Sequence, residues 1–154
     1  MKMAVLTISD ASWMKMRKDE SGPAVKARLE SKGWTVPILE VLPDEQALIE
    51  TRLRELADGG EYACIFTTGG TGPAPRDVTP EATLAVIERQ MPGLSERMRS
   101  EGTRITPFAA LSRGVSGIRG KTLIVNLPGS PKGAVESADA ILDLIPLTVQ
   151  LMRP

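Results

Sequence analysis

Three glycines fall within four residues in Thr67-Thr68-Gly69-Gly70-Thr71-Gly72-Pro73, directly after an apolar run over residues 62–68. Glycine lets a backbone turn sharply and approach a ligand closely. Successive free N–H groups in such a turn form a concavity for an anion. Thr68 and Thr71 add hydroxyls, so a phosphate is the natural guest of Gly69, Gly70 and Gly72. The loop is not a Walker A loop, because no Gly-Lys-Ser/Thr closes it. Nor is it the dinucleotide fingerprint, since Gly70-Thr71-Gly72 runs into Pro73-Ala74-Pro75 with no third glycine. Taken alone, it could also be an ordinary tight turn. Arg76 and Asp77 follow at once. The guanidinium suits a second phosphate oxygen, and the carboxylate either holds Mg²⁺ or caps the next helix.

Composition narrows the chemistry. The 154 residues contain no histidine and one cysteine, Cys64. An internal disulfide, a structural zinc site and histidine-based triads are excluded for want of residues. Acid–base work falls to carboxylates, Lys, Tyr or groups on the substrate, and a metal would be a hard cation on oxygen, favouring Mg²⁺. The formal net charge is zero and aromatics make up 3%. Both argue against nucleic acid or an anionic membrane as partner. The apolar run over residues 3–8 is too short for a signal sequence, and no stretch approaches a membrane span, so a cytoplasmic protein is expected.

The elements that must position these groups alternate. Residues 3–9 read as a buried strand and 10–19 as a loop. A helix over 20–32 carries Pro23 in its first turn and stops at Gly33. Residues 34–42 form a strand that Pro37 assigns to an edge or a bulge. A helix opens at Pro43-Asp44-Glu45, with Asp44 as candidate N-cap, and ends at Gly59-Gly60. Residues 62–68 are a central strand. Helices follow from Thr79 to Arg89 and over 94–105, while 108–113 is ambiguous. Residues 121–127 are a strand, and a last helix reaches Met152 with a kink at Pro146. Cys64 and Met91, Met98 and Met152 read as packing residues, and Trp13 and Trp34 as core or interface. This order predicts one α/β domain over 1–154, a three-layer αβα sandwich on a mostly parallel sheet. Ligands of such sheets sit at strand carboxyl ends, here just after Ile8, Leu42, Thr68 and Leu127.

Thr68-Gly69-Gly70-Thr71-Gly72-Pro73 with Arg76-Asp77-Val78-Thr79-Pro80-Glu81-Ala82-Thr83 resembles the signature of the MogA/MoaB family, which includes bacterial molybdopterin adenylyltransferases and the G domains of gephyrin and plant Cnx proteins. Thr7-Ile8-Ser9-Asp10, Pro43-Asp44-Glu45, Met91-Pro92-Gly93-Leu94, Leu111-Ser112-Arg113, Gly117-Ile118-Arg119-Gly120 and Asn126-Leu127-Pro128-Gly129-Ser130-Pro131 fit in the same order. The likeness covers nearly the whole chain. It implies a homotrimer that transfers AMP from Mg-ATP to the terminal phosphate of molybdopterin, releasing pyrophosphate, with a MoeA-like partner for metal insertion. It leaves two alternatives open, a MoaB-type paralogue and a non-catalytic pterin carrier or scaffold.

The resemblance also implies residue roles. Asp44 and Asp77 become the catalytic pair and the Mg²⁺ ligands. Ser9 and Asp10 join the nucleotide pocket. Ser112, Arg113, Ser116 and Arg119 suit a phosphorylated pterin, while Asn126, Pro128, Gly129 and Ser130 flank the final strand end. Lys132 is either an anion ligand or a solvated lysine. The chain departs from the family pattern at residues 10–18, where Ala11 stands in place of the usual arginine; this leaves two alternatives, an altered grip on the nucleotide or Arg17 as a substitute in space.

Overall fold

The computed structural model describes residues 1–154. Strands β1 (Lys2–Ile8), β2 (Thr35–Leu42), β3 (Cys64–Thr68), β4 (Arg89–Gln90), β5 (Ser116–Arg119) and β6 (Thr122–Leu127) form one sheet in the order β2-β1-β3-β6-β5-β4. β2, β1, β3 and β6 are parallel, whereas β5 runs antiparallel to β6 and β4 to β5. The helices are α1 (Asp10–Trp13), α2 (Ser21–Glu30), α3 (Gln46–Asp58), α4 (Thr79–Val86), α5 (Pro92–Thr103), α6 (Pro131–Ile141) and α7 (Ile145–Met152).

Successive strand residues point to opposite faces, and both faces are covered. Met3, Val5, Cys64, Phe66, Leu123 and Val125 pack with Val25 and Leu29 of α2, Leu94 and Met98 of α5, and Ala134, Ala138 and Ile141 of α6. Ala4, Leu6, Ile8, Ile65 and Ile124 pack with Ile49, Leu53 and Leu56 of α3 and with Ala82 and Val86 of α4. This is the expected three-layer sandwich. Burying each large side chain contributes about 1.5–3 kcal/mol relative to exposure. Cys64 is fully buried, and burial pushes its thiol pKa well up, which keeps it an inert hydrophobe. Trp34 packs partly buried against the core, while Trp13 is exposed.

Pro37 lies on an edge strand and also at a register shift. Lys2 pairs with Thr35 but Ala4 with Ile38, so β2 carries one extra residue there. Other elements differ from expectation. Residues 10–13 form a helical turn rather than loop, because the Ser9 hydroxyl accepts the Ser12 N–H at 3.2 Å and caps it. The helix from Thr79 stops at Val86, where Ile87 turns extended and leads into β4. Residues 107–111 are a 3₁₀ turn. The region 116–119, to which the sequence assigns no element, is a strand that Gly120 (φ 57°) turns into a hairpin with β6. The last helix divides. α6 ends at Ile141 and a 3₁₀ turn over Leu142–Leu144 follows. Pro146 then stands in the first turn of α7, where its missing N–H costs nothing.

Candidate active site

The carboxyl ends of the parallel strands meet along one edge, with Ile8 opposite Leu42, Thr7 opposite Thr68 and Thr68 opposite Leu127. The chain steps outward from β1 to β2 and then to β3 on β1's other side. The connections leaving β1 and β3 therefore diverge and open a crevice. Two cavities occupy it. A cavity of about 340 Å³ has an apolar wall of Met98, Phe108 and Leu111 beside Thr71, Arg99 and Ser112. A polar cavity of about 500 Å³ is lined by Ser9, Arg17, Lys18, Asp44, Thr68 and Ser130, among others. Gly70, Asp77 and Gly129 line both.

The glycine loop is held by crowding. Gly69 has φ 101°, and a Cβ there would lie 2.3 Å from the Ile8 carbonyl oxygen. Gly70 has φ 68°, and its Cβ would lie 2.2 Å from Thr79 Oγ1 and 3.0 Å from Asp44 Oδ1. Only glycine satisfies both conditions. Gly69 N–H donates to the Leu127 carbonyl at 3.1 Å. The N–H groups of Gly70, Thr71 and Gly72 have no protein acceptor, which leaves a run of three donors for an anion. The Thr68 hydroxyl donates to the Pro128 carbonyl at 2.8 Å, tying the two strand-end turns together rather than standing free for a phosphate.

The charged groups are cross-connected. Asp44 is not the N-cap of α3; Glu45 holds that place without a side-chain bond. Instead Asp44 Oδ2 accepts the Asp10 N–H and Asp10 Oδ1 accepts the Asp44 N–H, both at 2.9 Å. Asp44 Oδ1 and Thr79 Oγ1 are buried with no partner, a costly arrangement outside functional sites. Burial raises the Asp44 pKa; the bond from the Asp10 N–H pulls it partly back, and the Asp10 and Asp77 charges add to the rise. The Arg76 guanidinium is bound in a fork by Asp10, at 3.0 Å for each bond. That fork holds the Asp10 carboxyl below its usual pKa, with help from the Asp44 N–H. Arg76 is thus a partner of Asp10 rather than a free phosphate ligand. Asp77 Oδ2 accepts the Ala74 N–H at 3.0 Å, closing the turn after the loop.

Arg113 is also engaged. It donates to the carbonyls of Gly72 at 2.9 Å and Asp77 at 2.7 Å, and forks onto Glu81 at 2.7 and 3.1 Å. It braces the glycine loop from outside. Ser112 lines the apolar-walled cavity, and its hydroxyl accepts the Gly114 N–H. Asn126 reaches the same cavity, but its amide is spent on Thr67, Thr83 and the Val115 N–H. Pro128 and Gly129 line it too. Ser130 caps α6 at the polar cavity.

Asp10, Arg76 and Arg113 border the cavities through their bonded neighbours without lining either, and two further expected residues are not brought to the site. Ser116 is buried in β5, bonded to Ser95 and the Met91 carbonyl. Arg119 pairs with Asp58 and the Val86 carbonyl. β5 runs antiparallel, so its last residue lies beside Thr122 at the opposite edge of the sheet. Lys132 faces Glu136 at 3.8 Å and stays largely exposed. Residues that sequence reasoning passed over enter the site: Lys18, Asp19 and Glu20 in the polar cavity, Arg99 and Phe108 in the other, and Thr79 beneath Gly70. Arg17 does line the polar cavity.

The fold and crevice define an open α/β protein whose ligand site lies at the switch point of a mostly parallel sheet. Residues 4–147 match the family described as "Probable molybdopterin binding domain", and the chain belongs to it. It is 45% identical over 145 residues to the molybdopterin adenylyltransferase of Escherichia coli K12, a match covering 93% of this chain and 74% of that protein. It is 47% identical over 149 residues to the molybdenum cofactor synthesis protein cinnamon of Drosophila melanogaster, of which it spans only 25%. The crystal structure of the molybdopterin biosynthesis enzyme MoaB from Thermus thermophilus superposes with a TM-score of 0.93 at 48% identity, over 98% of this chain and 95% of that one.

Proposed function

We propose that this chain is a molybdopterin adenylyltransferase. The observation that carries the reading is the meeting of two cavities at Gly70, Asp77 and Gly129, beside a run of unpaired N–H donors. Adenylyl transfer needs such a junction. A phosphate monoester oxygen attacks the α-phosphorus of ATP, the bond between that phosphorus and the α–β bridging oxygen breaks, and pyrophosphate leaves with the electron pair. The nucleophile is already anionic at neutral pH, so no histidine base is required. Alignment and charge neutralisation do the work.

The polar cavity takes the nucleotide. It adjoins the end of β2 and the N-terminus of α6, which favours anions. The cavity with Met98, Phe108 and Leu111 takes the planar pterin, with Arg99 and Ser112 as polar contacts. The N–H groups of Gly70, Thr71 and Gly72 hold the phosphate at the junction. Arg113 keeps those donors in place. Asp44 and Asp77 fit Mg²⁺, because both are hard oxygen ligands lining the polar cavity and one Asp44 oxygen is orphaned. No third acidic ligand joins them, which suits an ion carried in on ATP and completed by phosphate oxygens and water. Such an ion would offset charge on the departing pyrophosphate.

The reading extends to a single-domain cytoplasmic homotrimer that hands its product to a MoeA-like metal-insertion partner. Leu147 and Leu151, one helical turn apart and exposed on α7, offer apolar surface for self-association. The likeness to MoaB of Thermus thermophilus favours a second reading, a MoaB-type member that binds pterin without turnover. One experiment separates them. The protein is incubated with molybdopterin, ATP and Mg²⁺, and adenylylated pterin and pyrophosphate are assayed, with Asp77→Ala alongside. Product from the native chain and none from the variant is expected. Pterin binding without product would sink the enzyme reading.

A further inference from the structure

We propose that Arg17 and Lys18 grip the β- and γ-phosphates of the nucleotide, an assignment that rests on the adenylyl-transfer reading. The charged residues lining the polar cavity are Asp19, Glu20, Asp44 and Asp77 against Arg17 and Lys18. The four carboxylates repel a triphosphate. Arg76, the cation that the sequence first suggests for this role, is neutralised in its fork with Asp10. Arg113 is committed to Glu81 and two carbonyls. Arg17 and Lys18, in contrast, enter none of the protein's ion pairs.

The backbone carrying them is pinned on both sides. Asp19 Oδ2 accepts the Thr7 hydroxyl at 2.8 Å and Oδ1 accepts the Gly22 N–H at 3.1 Å. The next residue after Lys18 is therefore fastened to the end of β1. Gly22 makes this possible, since a Cβ there would lie 2.3 Å from Thr7 Oγ1 and 2.6 Å from Asp19 Oδ2. On the other side, Met16 N–H donates to the Ala11 carbonyl at 2.9 Å and Lys15 N–H to that of Ser12 at 3.1 Å. Two long cations thus stand on a short segment held between fixed points at the cavity wall. The reacting α-phosphate must lie at the junction of the cavities. Arg17 and Lys18 line the polar cavity and not the other one, the cavity assigned to the nucleotide. As the cavity's two unpaired cations, they match the β- and γ-phosphates, the most highly charged part of the nucleotide.

The test is calorimetric binding of ATP, inorganic pyrophosphate and AMP, with Mg²⁺, to the wild type, to the Arg17→Ala/Lys18→Ala double variant and to Lys15→Asn. Lys15 carries a charge on the same segment but lies outside the cavity, and asparagine tolerates its backbone conformation. Each lost charge-assisted contact weakens binding roughly tenfold. The double variant is expected to lose about 10- to 100-fold for ATP and pyrophosphate while AMP changes by less than about twofold. Added salt should weaken ATP binding to the wild type more than to the double variant. Lys15→Asn should behave as wild type. ATP binding equal in wild type and double variant would overturn the assignment, as would a matching loss for AMP, which signals general damage to the pocket. No ATP binding by the wild type would overturn the adenylyl-transfer reading itself, and this assignment with it.

Discussion

The two connections that flank the crevice are built on opposite lines. Residues 69–77, after β3, have almost no freedom. A Cβ on Gly69 or Gly70 would collide with the Ile8 carbonyl or with Thr79 and Asp44, one on Gly129 would lie 3.3 Å from the Gly69 Cα, and Arg113 clamps the Gly72 and Asp77 carbonyls on the far side. Residues 10–19, after β1, expose Trp13, Met14 and Met16 and leave Lys15, Arg17 and Lys18 outside every ion pair. The donors that would meet a phosphate at the bond-making junction belong to the rigid connection. The groups that would handle the distal charge belong to the open one. Geometry at a reacting phosphorus tolerates little error, whereas neutralising a polyanion tolerates a longer, softer reach. Asp44 joins the two regions through its paired bonds with Asp10.

The largest break in this contrast is Gly69→Ala. The added methyl would meet the Ile8 carbonyl oxygen, at a φ that L-residues rarely adopt. A destabilisation of about 2–4 kcal/mol is expected, with activity down about 100-fold or more. Denaturant unfolding and turnover check it. Near-native turnover would show that the loop's rigidity is not what catalysis uses.

Asp44→Asn keeps the shape of the link between the two connections and removes its charge. Activity should fall about 100-fold if the carboxylate acts on the nucleotide's charge. Stability should hold or rise at neutral pH. Burial raises the folded pKa of Asp44 above its unfolded value, so the ionised form is the disfavoured one. That penalty is present at neutral pH and disappears as pH falls through the raised pKa. The melting temperatures of variant and wild type should therefore converge on acidification. Asp10 acts in the other direction in both proteins. Its folded pKa is depressed, so its stabilisation is present above the unfolded pKa and lost as pH falls through the folded one. A variant markedly less stable than wild type at pH 7 would contradict the burial argument.

Arg113→Lys probes the outer clamp. A lysine ammonium cannot reproduce a fork that spans two carbonyls and a carboxylate. A loss of roughly 1 kcal/mol in stability and roughly tenfold in activity is expected. Turnover unchanged by the substitution would show that the glycines alone hold the loop.

The rigid connection was legible in the sequence because its signals are local: glycines in succession, threonines beside them, a strand before and a helix after. The sandwich was legible for the same reason, in runs such as 62–68 and 121–127 that only a doubly covered strand tolerates. What escaped depends on distant partners. Arg76 looks like a phosphate ligand until Asp10, 66 residues away in sequence, is seen to hold it. Arg113 meets Glu81 across 32 residues. Arg119 was misplaced because β5 is four residues long, with a glycine in it, and shows no apolar alternation. Its hairpin with β6 reverses direction and sends the arginine to the wrong edge. Lys18 gives no signal in the sequence, where only Arg17 stands out as a candidate; its place at the cavity follows from the anchoring of Asp19 to Thr7 and Gly22.

The smallest effect tests the open connection. Lys15 follows α1 with φ 59°, and the bonds from Lys15 and Met16 back to Ser12 and Ala11 are those of a helix terminated by a left-handed residue. Glycine is the usual occupant, and an L-residue there costs about 1–2 kcal/mol of backbone strain. Glycine also gives the unfolded chain more freedom, which cancels part of the gain. Lys15→Gly should therefore stabilise the protein by at most about 1 kcal/mol, a rise of a few degrees in melting temperature. Because Lys15 does not line the cavity, turnover and ATP affinity should stay unchanged. A gain in stability with a loss of ATP affinity would mean that the lysine holds Arg17 and Lys18 in register, so that the open connection is as exacting as the glycine loop.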